Sequence, residues 1–242
     1  MSQSDMFGDT PTQGNLFDAT PATQPSTTPI RRHAITDAGL QHFQNAYPGE
    51  TISKEDLFYY IYGLLHSEDY RARYADNLTK ELPRIPAVKT AADFWAFVHA
   101  GRQLGELHVG YESVAPYPVE FKLAKPHEEF CVGDYRVTQM KFARGTNGEK
   151  YDKTTVIYNP FITIEGIPQE AYDYIVNGKS ALEWVMERQS VRTDKASGIV
   201  NDANAWALET MHNPEWPLLL FQRVITVSLE TMKIVRGLPK LD

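Results

Sequence analysis

Apolar residues in the first third of the chain recur at the spacing of an α-helix. From Arg31 to about Tyr111 the pattern is helical, with apolar residues at spacings of three and four, as Leu40, Phe43 and Tyr47 illustrate. This period places apolar side chains on one stripe of a helix, which can then pack against a core. The pattern predicts a helical subdomain.

Helix-capping residues divide this part of the chain into segments. Thr36 precedes a segment that ends near Tyr47, and Ser53 opens a second helix that stops before His66 and Ser67. A third helix is expected over residues 68–82, ended by the prolines at 83 and 86. Thr90 then precedes a fourth helix that reaches about Leu107.

The pattern changes to that of β-strands after residue 112. Residues 130–143 and 150–165 are rich in Val, Tyr, Thr and Ile, and Asn147-Gly148 between them is a pair typical of hairpin turns. We expect an antiparallel pair here, with a further strand over residues 161–165 after the break at Pro160.

Helices are expected again towards the end of the chain. One should begin at Pro168, include Val176 and stop at Asn177-Gly178, and another should span residues 180–189. Residues 190–213 are polar and predict a long loop, and a closing helix should end before Gly237. The fold class is therefore α+β, with a flexible leader (1–30), a helical subdomain (31–112) and a mixed antiparallel-sheet and helix subdomain (113–242) that includes a long C-terminal helix.

Composition narrows the class of protein. Hydrophobic residues make up 42% of the chain and aromatic residues 12%, which predicts a folded core. Residues 1–29 contain no Lys or Arg and only the short apolar islands Met6-Phe7 and Leu16-Phe17, which predicts a flexible leader. The start of the chain does not resemble a secretory signal, and no apolar run is long enough to span a membrane. We expect a cytoplasmic protein.

Charge limits the kind of ligand surface that the chain can offer. The formal net charge is −7, so a binding site for a polyanion must be a local patch. Residues 136–153 form the densest cationic stretch, and further cations follow between residues 179 and 195. The candidate DNA-contacting residues are Arg136, Lys141, Arg144, Lys150, Lys153, Lys179, Arg192 and Lys195. The alternative is that these charges only solvate one face of the sheet.

No motif in the chain specifies an active site. Asn177-Gly178-Lys179-Ser180 lacks the upstream glycine of a phosphate-binding loop, and no two histidines have the i, i+4 spacing of a metal site. Asn159-Pro160-Phe161 lacks the second proline of the amino-methyltransferase loop. Cys131, the one cysteine, is expected to be buried at the start of a strand. We therefore predict no catalytic residue, no metal and no cofactor in this chain.

Several long stretches resemble the C-terminal part of single-polypeptide type ISP restriction-modification enzymes. These enzymes join a nuclease, a helicase motor, an adenine methyltransferase and a target recognition domain. The resemblance covers nearly everything after residue 30. The stretches that carry it are RRHAITD (31–37), KEDLFYYIYGLLHSEDYRARYADNLTKELPRIP (54–86), FWAFVHAGRQLGELHVGYE (94–112), YNPFITIEGIPQEAYDYIVNGKSALEWVMERQSVRTDKASGIVNDANAW (158–206) and RVITVSLETMKIV (223–235).

The resemblance implies a target recognition domain that binds double-stranded DNA in a sequence-specific manner. Its partners would be duplex DNA and the methyltransferase and helicase modules of the same or a companion polypeptide. Residues that determine specificity should differ between relatives, so we expect them in the less family-like span of residues 120–153. The alternative function is a stand-alone protein-interaction module that does not bind DNA.

Overall fold

The computed structural model describes residues 34–146 and 148–241. The predicted leader, residues 31–33 of the predicted helical subdomain and Asn147 of the predicted turn lie outside this range. One compact unit spans Ile35–Asp242. Within the described residues, no helix has the length and apolar character needed to cross a membrane.

Helices form the first part of the unit, and polar caps start most of them. The side chains of Thr36, Ser53, Ser67 and Thr90 each accept a hydrogen bond from a backbone N–H of the first turn, as predicted. The helices are α1 (Asp37–Ala46), α2 (Lys54–His66), α3 (Glu68–Arg73), α4 (Ala75–Leu78) and α5 (Ala91–Val109). The single helix predicted over residues 68–82 is wrong, because Tyr74 leaves the helical region at φ −109° and ψ 20° and separates α3 from α4.

Buried tyrosines fix the proline-containing segment that links α4 to α5. The hydroxyls of Tyr70, Tyr60 and Tyr47 donate to backbone carbonyls of residues 84, 86 and 88, each at 2.6 Å. These carbonyls belong to a segment outside any helix or strand, so the tyrosine hydroxyls supply their hydrogen-bond partners. The same rings join Phe94 and Phe97 in the first core.

A four-stranded antiparallel sheet with the order β1-β4-β3-β2 follows. Its strands are β1 (Glu120–Leu123), β2 (Lys141–Arg144), β3 (Tyr151–Ile157) and β4 (Ile162–Glu165). The predicted pairing of β2 with β3 is confirmed, with a register shift between Phe142 and Ala143. The first arm is much shorter than predicted, because residues 127–129 and 132–135 form short 3-10 helices. Cys131 lies between them and is exposed, so its predicted burial in a strand is wrong.

Two small hairpins and three helices complete the chain. The hairpins are β5–β6 (Ile175–Val176 with Lys179–Ser180) and β7–β8 (Arg192–Thr193 with Val200–Asn201). The helices are α6 (Ala181–Arg188), α7 (Ala203–Glu209) and α8 (Trp216–Arg236).

Two predictions for this region are corrected. The helix expected from Pro168 through Val176 is a short 3-10 helix, Gln169–Tyr172, followed by β5. Asn177 and Gly178 have φ values of 49° and 82°, which suit a tight hairpin turn between short strands. The predicted loop over residues 190–213 contains the β7–β8 hairpin and α7, because Asp202 caps a helix there.

The long helix α8 packs against the core beneath the sheet and against α5. Its residues Phe221 and Ile225 are fully buried in the core that lies beneath the sheet. Further along, Met232 and Val235 pack against Leu104 of α5. The expected closing helix and the α+β class are confirmed.

Candidate nucleic-acid interface

Two segments that are distant in sequence lie side by side and form a surface that we call the ridge: residues 136–139 and 191–204. The backbone N–H of Val191 donates to the carbonyl oxygen of Thr138 at 2.9 Å. The side chain of Asn204 accepts from the N–H of Val137 at 2.9 Å and donates to its carbonyl oxygen at 2.7 Å. These bonds bring together the two segments that carry Arg136, Arg192 and Lys195.

Arg136 is the candidate cation at the centre of these bonds. Its guanidinium Nη2 donates to Oδ2 of Asp202 at 2.6 Å. Burial acts to raise the pKa of Asp202, but hydrogen bonds from Arg136 and Asn204 outweigh it and lower the pKa below its ordinary value. Asp202 is therefore an anion at neutral pH, and Arg136 belongs to an ion pair.

The carboxylate of Asp134 stabilises the turn that leads into the ridge. It accepts from the backbone N–H of Cys131 at 2.7 Å and pairs with Lys125 at 2.8 Å. These two contacts lower the pKa of Asp134 to about 2. Asp134 is therefore ionised at neutral pH, and the turn keeps its ionic contacts there.

Three candidate cations of the β2–β3 hairpin extend into solvent. Lys141, Arg144 and Lys150 are exposed, and none of them forms an ion pair with another described residue. Lys150 Nζ lies 5.0 Å from the centre of the Tyr151 ring. Exposed, unpaired cations on a hairpin are suited to contact with phosphates.

The remaining hairpin cation, Lys153, has an acidic partner. Its Nζ lies 3.4 Å from Oε1 of Glu183 in α6 and over the rings of Phe142 and Tyr172. Burial acts to raise the pKa of Glu183, but bonds from Ser180 and the charge of Lys153 outweigh it and lower the pKa. Lys153 is thus held against the protein more firmly than the other hairpin cations.

A second glutamate of α6 pairs with two more candidates. Glu187 accepts from Lys179 on one oxygen and from Arg192 at 3.3 Å on the other. Lys179 also lies over the Trp184 ring, and Arg188 lies 5.4 Å from the centre of that ring. Hydrogen bonds from Lys179 lower the pKa of Glu187, with a contribution from Arg192, so the glutamate stays charged.

Lys195 lies at the tip of the β7–β8 hairpin and is exposed without an ion pair among the described residues. Oδ1 of the preceding Asp194 accepts from the backbone N–H groups of Ala196 and Ser197 at 3.0 and 2.7 Å. These bonds shape the hairpin tip and present Lys195 to solvent.

The eight candidates therefore fall into two classes. Arg136, Lys153, Lys179 and Arg192 are paired with acidic side chains, whereas the other four are unpaired within residues 34–146 and 148–241. The sequence did not reveal the pairing, because the partners come from α6 and from the N-cap of α7. The i, i+4 spacing of Glu183 and Glu187 is the one signal of an acidic helix face.

Two histidines, one from α2 and one from α5, lie against each other. His66 and His108 have ring centres 5.4 Å apart. The two ring nitrogens of His108 are hydrogen-bonded to Tyr62 at 2.8 Å and to Thr231 at 2.9 Å. Burial, assisted by the nearby His66, lowers the pKa of His108 to about 4.

The two rings belong to a structural cluster. His108 joins α5 to α2 through Tyr62 and to α8 through Thr231, whereas His66 donates to the carbonyl oxygen of Tyr62 within α2. Across the described ranges, no three His, Cys, Asp or Glu side chains are grouped so that they could hold a metal ion.

One known protein family matches most of the chain. A family model, the type ISP C-terminal specificity domain, matches residues 7–218. None of the curated proteins matches the chain.

Three solved structures that resemble the chain are DNA complexes. A nuclease-deletion mutant of the type ISP restriction-modification enzyme LlaGI, in complex with a DNA substrate mimic, is 41% identical over 80% of this chain, with a TM-score of 0.65. The ATP-dependent type ISP enzyme LlaBIII bound to DNA is 35% identical over 84%, with a TM-score of 0.68. The DrdV–DNA complex is 36% identical over 85%, also with a TM-score of 0.68. The chain spans 17%, 12% and 20% of the lengths of these proteins, respectively.

Proposed function

This chain belongs to the type ISP C-terminal specificity domain family, and we propose on that premise that it recognises a specific sequence in double-stranded DNA. One observation carries the proposal: the chain is 35–41% identical to parts of restriction-modification enzymes whose structures contain DNA. The competing function, a stand-alone protein-interaction module, has no comparable support.

The geometry of the surface favours the same function. Four exposed cations without acidic partners, on the β2–β3 hairpin and at the β7–β8 tip, can contact phosphates, which position a protein on a duplex. The ridge supplies Thr138, Gln139 and Asn201, exposed side chains of the type that reads base edges. A domain with both kinds of contact can bind DNA and discriminate among sequences.

The net charge of −7 is compatible with this proposal. Acidic side chains pair with four of the eight candidate cations, so the positive charge available to phosphates is concentrated at the four unpaired ones. The acidic partners also weaken binding to DNA of arbitrary sequence. We infer that they increase specificity at the expense of affinity.

The proposed role is recognition without catalysis. No catalytic motif or cofactor-binding motif was found in the sequence, so the chemistry would belong to methyltransferase and helicase modules elsewhere in the same or a companion polypeptide. We expect such a complex to work in the cytoplasm, where the DNA of the cell is accessible.

The test is the affinity of the 242-residue chain for a mixed-sequence duplex as a function of salt concentration. A phosphate-binding domain releases counterions, so log K should fall linearly with log salt, with a slope of about −0.9 for each phosphate contacted. With about four unpaired cations in contact, a slope between about −3 and −5 is expected. Absence of binding at low salt would contradict the proposal and favour the protein-interaction module.

A further inference from the structure

The backbone on both sides of Arg136 is held by hydrogen bonds. The N–H of Arg136 donates to the carbonyl oxygen of Gly133 at 3.2 Å, and its own carbonyl accepts from Nδ2 of Asn159 at 3.1 Å. The next residue, Val137, is bonded through both backbone groups to the buried side chain of Asn204. The position from which this arginine extends is therefore fixed.

Asp202 fixes the side chain of Arg136 in turn. Oδ2 of Asp202 accepts from the guanidinium, while Oδ1 accepts from the backbone N–H and from Nδ2 of Asn204 at 2.9 and 2.6 Å. The side chain of Asp202 is 16% exposed and that of Arg136 is 48% exposed. The carboxylate is thus anchored, and the guanidinium that it orients extends into solvent.

Most of the donors of this guanidinium remain available. A guanidinium carries five N–H groups, and apart from the bond to Asp202 it forms no hydrogen bond with the described residues. Its planar fork matches O6 and N7 of guanine in the major groove, which is the commonest specific protein–DNA contact. Because Asp202 orients the guanidinium before DNA binds, less conformational entropy is lost when the guanidinium contacts a guanine.

We propose that Arg136 reads a guanine of the recognition sequence and that Asp202 is its positioning residue. This inference rests on the proposed function. It separates Arg136 from Arg144, which is exposed, has no acidic partner and lies beside the hairpin turn. Arg144 has the freedom that suits a phosphate contact, whereas Arg136 has the fixed geometry that a base requires.

A purely structural role would be to tie the ridge to α7. That connection already exists through Asn204, which bonds both backbone groups of Val137. The structural role predicts changes in stability alone, whereas the reading role predicts a change in base preference at one position. Base preference is therefore the quantity to measure.

The experiment compares Arg136→Lys with the matched control Arg144→Lys. The wild-type chain is used to select bound sequences from a randomised duplex pool, which defines the preferred sequence. Lysine keeps the charge but loses the bidentate fork. R136K should lose preference for one guanine by roughly 5- to 150-fold, the range expected for one bidentate pair. R144K should keep the wild-type preference at every position.

Two further measurements test the contact at the level of atoms and charge. Replacing that guanine by 7-deazaguanine removes N7, which should weaken binding of the wild type but not of R136K. Asp202→Asn retains a side-chain acceptor for the helix cap but removes the negative charge. D202N should therefore show weaker preference for the guanine together with equal or stronger binding to unrelated duplex.

Each result bears on a different claim. If the wild type selects no sequence, the proposed function and this inference both fail. Thermal melting first establishes that R136K is folded. If the wild type selects a sequence and R136K keeps the same base preference, the inference alone fails. Equal loss of affinity by R136K for all sequences would also overturn it, because that result indicates a phosphate contact.

Discussion

Gly63 of α2 and Gly101 of α5 face each other where the two helices cross. A Cβ atom on Gly101 would lie 1.9 Å from the carbonyl oxygen of Tyr59, and one on Gly63 would lie 2.5 Å from that of Phe97. Neither backbone atom can move without moving a helix. Glycine at both positions therefore sets the close approach of α2 and α5, around which the first core is built.

Gly101→Ala should destabilise the protein by about 2 kcal/mol or more, because overpacking at a backbone contact outweighs the helix propensity of alanine. Gly105→Ala is the matched control in the same helix. Its Cβ would meet the side chain of Tyr59 at 2.9 Å, and a side chain can rotate away. Urea unfolding of both variants is the measurement. Equal effects would contradict the account of the crossing.

Asn159→Ala should destabilise the sheet subdomain by about 2–4 kcal/mol, since several buried partners lose their hydrogen bonds. The side chain accepts from the N–H groups of Phe161 and Ile162, both at 2.8 Å, and donates to the carbonyls of Asp134 and Arg136. Asn201→Ala, at an exposed site, should change the free energy of unfolding by less than about 0.5 kcal/mol. A small effect of Asn159→Ala would show that the turn before the ridge is held by other contacts.

The free energy of unfolding should increase as pH rises from 4 to 6.5, because His108 titrates at a lower pH in the folded protein than in the unfolded chain. Its pKa is lowered to about 4 in the folded protein, whereas an unfolded histidine titrates near 6.5. In this window the unfolded chain binds more protons, so the contribution is complete above about pH 6.5 and is lost as pH falls towards 4. It should be on the order of 1–2 kcal/mol, allowing for partial exposure of the ring.

His108→Gln removes the titration and serves as the comparison. The difference in free energy of unfolding between wild type and variant should decrease as pH falls through this window. A difference that stays constant from pH 4 to pH 7 would contradict the assignment to His108.

Local signals in the sequence predicted much of the fold. The four capped helix starts, the β2–β3 pair and the closing helix follow from short-range chemistry, and the structure confirms them. The failures also have local causes: Tyr74 interrupts a helical pattern, and Ile175-Val176 before Asn-Gly forms a hairpin in place of a helix. The family resemblance is confirmed, while the boundary between residues 112 and 113 stays a prediction.

The candidate surface was harder to predict, because it depends on contacts between distant segments. Asp202 and Arg136 are 66 residues apart, and His108 lies 123 residues from Thr231. No periodicity or motif reports such pairs, so the sequence indicated where cations are dense but not which of them have acidic partners.

Each unpaired cation should contribute about one unit to the salt dependence of DNA binding. Replacing any one of four cations by alanine should make the slope of log K against log salt less negative by about 1 and weaken binding to all sequences alike; the four are Lys141, Arg144, Lys150 and Lys195. Lys179→Ala, which removes a cation already paired with Glu187, should change the slope by less. If Lys179→Ala changes the slope as much as Arg144→Ala, the pairing does not persist on DNA.

The central claim is that this chain discriminates among double helices. It is tested most directly by the ratio of dissociation constants for the selected duplex and a scrambled duplex of equal length and composition, measured with the 242-residue chain at about 150 mM salt. We expect the selected duplex to bind at least about 10³-fold more tightly, the lower end for specific DNA-binding proteins. A ratio near one would contradict the account, and so would the absence of binding to either duplex.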